Sequence, residues 1–117
     1  MPEFIPIAGD TSRPVHVPVL LREVLQHLQL APGLVVVDGT VGAAGHSREM
    51  LKRIAPGGQL IGLDRDARML DIAAHQLSTV SSSSFHHLRQ ASYAELTRVL
   101  AELQIPTVDR VLLDLGL

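Results

Sequence analysis

Leu34-Val-Val-Val-Asp-Gly-Thr-Val-Gly-Ala-Ala-Gly-His-Ser-Arg-Glu-Met-Leu51 is the stretch that decides the fold. Its apolar run ends at Asp38, a loop follows with Gly39, Gly42 and Gly45, and Met50, Leu51 and Ile54 then take helical spacing. A buried strand, a tight glycine turn and a helix start form a cradle for a nucleotide-like ligand. Small residues let the ligand approach the backbone, and the first helical turn offers unpaired N–H groups.

The flanking sequence repeats this unit. Upstream, Leu20, Leu21, Val24, Leu25 and Leu28 recur at helical spacing and Pro32-Gly33 stops the helix. Residues 1–15 hold Pro2, Pro6 and Pro14 without periodicity and read as a flexible or extended tail, so the domain is placed at 16–117. Downstream, the helix from about His46 to Ile54 ends at Pro56-Gly57-Gly58, and a second strand runs from Gln59 to Leu63. Asp66 can cap a helix whose apolar face is Met69, Leu70, Ala73 and Leu77. Ser81–Ser84 reads as a linker and Phe85 to Leu88 as a third strand. Ser92 and Glu95 form a capping-box pair before a helix carrying Leu96, Val99, Leu100 and Leu103. Val108 to Leu113 is a fourth apolar strand, ending in Asp114-Leu-Gly-Leu117.

This alternation predicts an α/β fold with a parallel sheet of about four strands, covered by helices on both faces. A doubly wound sheet usually continues beyond such a fourth strand, so the expectation is the first part of a longer protein. The 117 residues suit one domain or part of one, and 46% hydrophobic with 3% aromatic implies an aliphatic core. The absence of cysteine excludes disulfides, thiolate zinc sites and cysteine nucleophiles. No apolar run reaches the roughly 18 residues of a membrane span. The first residues lack a basic segment followed by an apolar core, so a cytoplasmic protein is expected. A formal charge of −2, from 10 basic and 12 acidic residues, is not a surface built to grip a phosphate backbone unaided.

Three ligands commonly occupy such a loop. A P-loop needs a lysine after its last glycine, and none follows Gly45. A dinucleotide fingerprint spaces its glycines Gly-x-Gly-x-x-Gly, whereas Gly39, Gly42 and Gly45 are evenly separated by two residues, which weakens a nicotinamide reading. S-adenosylmethionine fits better, because Asp38 stands where an acidic residue can hold its amino group. Asp64 lies 26 residues beyond Asp38, the span of one βαβ unit, where a carboxylate accepts both ribose hydroxyls. A helix cap is the competing role for Asp64, and Asp66 is better placed for it.

His46 opens a helix and either caps it or touches ligand. Tyr93 either stacks on an adenine or packs against Leu96 and Leu100. Asp114 ends the fourth strand at the ligand edge. His27 and His75 lie on helices, and the adjacent His86 and His87 face opposite sides of a strand. No pair has metal-site spacing with a carboxylate, so no metal centre is expected.

Four segments together resemble the bacterial 16S ribosomal RNA cytosine-N4 methyltransferase family, the MraW or RsmH type. They are His16-Val-Pro-Val-Leu-Leu-Arg-Glu-Val24, the loop Asp38–Ser47, Leu60-Ile-Gly-Leu-Asp-Arg-Asp66, and Val111-Leu-Leu-Asp-Leu-Gly116. The resemblance implies a Rossmann-like S-adenosylmethionine methyltransferase, with cofactor contacts at Ala44, Gly45, His46, Asp64, Tyr93 and Asp114, in addition to Asp38, Gly39 and Gly42 of the loop. It implies methyl transfer to N4 of a cytidine, with Asp114 as the candidate catalytic group and 16S ribosomal RNA or the small ribosomal subunit as partner. Ala44 replaces the family's usual glycine, so the backbone there needs φ values that a Cβ allows. Family members continue with Ser-Ser, a glutamine that completes the cofactor site and a helical region for RNA, all beyond this chain. Two other readings stay open: a non-catalytic cofactor-binding module that dimerises through an exposed strand edge, and half of a nicotinamide-dependent oxidoreductase.

Overall fold

A computed structural model describes residues 21–42, 44–80 and 83–113. The tail expected over 1–15, the boundary at residue 16 and Asp114 lie outside the described residues. The elements, in order, are α1 (Leu21–Leu28), β1 (Val35–Asp38), α2 (Gly45–Arg53), β2 (Gln59–Asp64), α3 (Ala67–Ser78), β3 (Phe85–Gln90), a 3-10 turn (Tyr93–Glu95), α4 (Leu96–Glu102) and β4 (Arg110–Leu112). The α/β alternation read from the sequence is therefore the architecture.

The four strands form one parallel sheet in the order β3-β2-β1-β4. Steps from β1 to β2 to β3 move one way across the sheet, and the step from β3 to β4 reverses over both. Right-handed crossovers place α2 and α3 on one face and α4 on the other. The packing follows suit. Val36 and Leu60 join Met50, Leu51, Ile54, Ala73 and Leu77 on one side. Their neighbours Val37 and Ile61 join Leu63, Val99 and Ile105 on the other. Consecutive strand residues point to opposite faces, so both must be apolar in a sheet covered twice. The reversal leaves a switch point between β1 and β4, where sheets of this kind bind ligands beyond their carboxyl ends.

Besides shifts of a single residue at several ends, three boundaries differ from the sequence expectation. β3 continues two residues past Leu88, because its ladder with β2 runs on through Leu63↔Arg89 and Asp64↔Gln90. β4 begins at Arg110 rather than Val108. Its predecessor Asp109 ties to β1 partly through its side chain: Val35 N–H donates to Asp109 Oδ2 at 2.8 Å, and Asp109 N–H to the Val35 carbonyl at 2.8 Å. The helix expected to start after Ser92 opens with the 3-10 turn, yet the capping box forms with both of its bonds. Arg110 also reaches across the fold, its Nε donating to the Leu28 carbonyl at 2.7 Å and so closing the C-terminus of α1.

Candidate functional site

The site lies where β1 and β2 end. Asp38 pairs with Gly62, so β2 runs two residues further and its last residue, Asp64, overhangs the glycine loop. The loop is tied to strands on either side. Gly39 N–H donates to the Leu112 carbonyl at 2.8 Å and Val41 N–H to the Leu63 carbonyl at 2.8 Å. Gly42 N–H donates to Asp64 Oδ2 at 2.9 Å, and Asp66 N–H to Asp64 Oδ1 at 2.9 Å. Each carboxylate oxygen of Asp64 thus accepts one backbone N–H and keeps a second lone pair for a ligand donor.

A cleft of about 280 Å³ opens there, lined by Gly39, Thr40, Asp64, Arg65, Ala91, Ser92 and Tyr93. Ligand pockets commonly span about 300–1,000 Å³, so the cleft is close to the size that a nucleoside-like group needs. A Cβ on Gly39 would overlap the Leu113 side chain and lie 3.3 Å from Tyr93 Cβ, so this position admits only glycine without rearrangement. Tyr93 is 41% exposed at the rim, which leaves its ring accessible for stacking. Ala91 N–H donates to the Asp64 carbonyl at 3.0 Å and holds the end of β3 against the cleft.

Of the residues singled out in the sequence, Gly39, Asp64 and Tyr93 line this cleft. Asp38 is placed differently: it is 2% exposed and sits beneath the loop. Its Oδ1 accepts from Thr40 N–H at 3.1 Å and its Oδ2 from the Ser47 hydroxyl at 2.8 Å. Gly42 touches the cleft through Asp64, with φ +52. Ala44 is fully buried in the left-handed region, φ 71 and ψ 27, the strained geometry that a substituted glycine implies. Gly45 starts α2 and His46 follows half-buried in its first turn; neither lines this cleft.

Asp66 caps α3, accepting from Arg68 N–H at 2.9 Å, which leaves Asp64 for the cleft. That backbone bond, then the Arg68 guanidinium, hold the Asp66 carboxyl below the ordinary carboxylate value. Among the described residues no cluster of His, Asp or Glu could hold a metal ion, and no helix is long and apolar enough to cross a membrane.

Sequence reasoning missed Thr40, Arg65, Ala91 and Ser92 as lining residues, and Gly62 beneath the loop. Ser92 was legible only as a cap. Gly62 carries no local signal, yet a Cβ there would lie 2.7 Å from Leu88 Cδ2 and 3.2 Å from Val41 Cγ2, so it makes room for the loop to pack on β2.

A parallel sheet in this order, a glycine loop after its first strand and a carboxylate after its second define a Rossmann-like fold, one that S-adenosylmethionine-dependent methyltransferases share. The chain superposes on TrmN from Thermus thermophilus with a TM-score of 0.67 at 24% identity, covering 81% of this chain and 27% of that one. It superposes on a SAM-dependent O-methyltransferase from Thermotoga maritima with a TM-score of 0.62 at 12% identity, covering 75% and 34%. The model of the MraW methylase family matches residues 13–117, and the chain belongs to that family. Among its relatives, ribosomal RNA small subunit methyltransferase H of Syntrophotalea carbinolica is 50% identical over 101 residues, which is 86% of this chain and 32% of the relative. The protein of the same name from Dictyoglomus thermophilum is 41% identical over 102 residues, 87% of this chain and 34% of the relative. The chain spans about a third of the length of these curated relatives.

Proposed function

We propose that this chain is the cofactor-binding part of a longer S-adenosylmethionine-dependent methyltransferase that modifies N4 of a cytidine in 16S ribosomal RNA. The observation that carries the cofactor assignment is Asp64, which lines the cleft with one free acceptor position on each oxygen, matching the two donors of a ribose diol. Family membership favours a methyl donor over a nicotinamide at the glycine loop. The RNA target rests on the named relatives and on the resemblance of the four sequence segments.

When bound, S-adenosylmethionine supplies a methyl group activated on a sulfonium. The chain's own residues orient and enclose: Asp64 fixes the ribose, Tyr93 stacks on the base, and Gly39 and Thr40 admit the ligand close to the backbone. Gly45 and His46 extend the contact at the start of α2, fully buried Ala44 shapes the turn that leads there, and Asp38 braces the loop from within. Alignment of a weakly nucleophilic exocyclic nitrogen is mainly a positioning task. In this reading Asp114 or a neighbouring carbonyl stabilises the charge developing on N4, and the proton that N4 sheds passes to Asp114 or to water. The charge of −2 fits a division of labour in which the small ribosomal subunit is gripped by regions beyond this chain, in the cytoplasm where ribosomes work.

The test is methylation of small ribosomal subunits by the protein expressed in its complete reading frame, using labelled cofactor and mass spectrometry of the digested RNA. N4-methylcytidine is the expected product; label in another nucleoside, or none, refutes the assignment. One observation favours a second arrangement: Val111, on β4 at the edge of the described sheet, and Leu113, just after it, are 46% and 44% exposed. A second copy pairing along β4 would cover them. Sedimentation of an active monomer would rule that dimer out.

A further inference from the structure

The glycine loop is held from below by a buried pair that no ligand contact accounts for. Ser47 is fully buried in α2 and donates its hydroxyl to Asp38 Oδ2 at 2.8 Å. The other oxygen of Asp38 accepts the Thr40 N–H at 3.1 Å, and Thr40 lines the cleft beside Gly39. Gly39 is in turn anchored to the Leu112 carbonyl at 2.8 Å. The Gly39–Thr40 peptide, which floors the cleft, is therefore fixed from β4 on one side and from Asp38 on the other.

We propose that Ser47 is a positioning residue for the cofactor site. Its hydroxyl selects the rotamer of Asp38, and Asp38 transmits that choice to the Thr40 amide and the cleft floor. A buried carboxylate without a fixed donor can rotate to seek others, and a site that is loose by a fraction of an ångström loses affinity. The inference rests on the S-adenosylmethionine reading above.

The test uses the protein in its complete reading frame, with Ser47→Ala, the isosteric Ser47→Cys, Asp38→Asn and the double variants. Loss of a hydrogen bond to a charged group predicts a rise of about tenfold in the S-adenosylmethionine Kd for Ser47→Ala, with KM for the cofactor rising more than kcat falls. Ser47→Cys, whose thiol is a weak donor, is expected to weaken binding in the same direction and serves in place of Ser47→Ala if that variant does not fold. In the Asp38→Asn background Ser47→Ala should add less than twofold, because the effect passes through Asp38. Without ligand, amide exchange at Thr40 should accelerate about tenfold in Ser47→Ala, while that of Ala91 holds.

A wild-type Kd with an unchanged Ser47→Ala Kd, alongside a lowered melting temperature, overturns the positioning role and leaves the cofactor reading standing. Additive effects in the double variants overturn it likewise. Faster Thr40 exchange in Ser47→Ala, with a wild type that binds no S-adenosylmethionine, keeps the mechanical link and refutes the cofactor reading instead.

Discussion

Asp64→Asn separates the loop-stitching bonds of this carboxylate from the ribose contact proposed for it. The wild-type oxygens each accept a backbone N–H, Oδ2 from Gly42 at 2.9 Å and Oδ1 from Asp66 at 2.9 Å. Asparagine offers one oxygen and one amide nitrogen, so whichever way it faces, one of those two N–H groups meets another donor. Hydrogen bonds to charged groups contribute about 1.5–3 kcal/mol, and the partly buried setting argues for the lower half of that range in stability. Under the proposed function the ribose diol loses one of its two acceptors as well. At about 1.4 kcal/mol per decade, that second loss weakens S-adenosylmethionine by about 10- to 150-fold. Urea denaturation measures the first quantity and titration calorimetry the second, on the protein in its complete reading frame. A Kd within threefold of wild type would refute the ribose role, and unchanged stability would refute the stitching of Gly42 to Asp64.

Three further outcomes follow from the geometry. At Ala44, φ 71 costs about 1–2 kcal/mol for a residue with a Cβ, but a glycine there gives up a buried methyl and gains freedom in the unfolded chain. Ala44→Gly should therefore shift stability by less than about 1 kcal/mol, whereas the β-branched Ala44→Val should lose at least about 2 kcal/mol by denaturation; equal effects would contradict the strained geometry. His87 is held below its ordinary value of 6.5, first by burial and then by repulsion from Arg89 and His86. The unfolded chain thus binds the proton more readily, so the neutral-His87 stabilisation is complete above about pH 6.5 and declines as pH falls from there towards the folded value. His87→Gln should flatten that slope in urea titrations at successive pH values; an identical slope would show that other groups produce it. Arg110→Leu removes the donor to the Leu28 carbonyl, 82 residues away in sequence, and should accelerate amide exchange in α1 while sparing β2; uniform acceleration would mean that the contact holds the whole fold.

Local patterns determined much of this protein from its sequence alone. Paired apolar strand residues, glycine and proline stops and the caps at Asp66 and Ser92 act within a few residues, so the α/β alternation and the end of β2 at Asp64 were readable in order. Ala44 was legible only against the family's usual glycine, as a position whose φ must suit a Cβ, and the structure gives it the left-handed φ of 71 instead. What the tertiary structure decided depends on partners far apart along the chain. Asp38, read as a ligand contact, is turned under the loop because Ser47 presents a buried hydroxyl to it across a helical turn. Arg65, Ala91 and Ser92 line the cleft because β2 and β3 end side by side. β4 starts late because the Asp109 side chain occupies the Val35 N–H, 74 residues away. Side-chain direction and strand adjacency arise only when the sheet assembles. The stretch from Leu34 to Leu51 therefore announced a cradle, while packing chose which of its residues line the cleft and which hold the others in place.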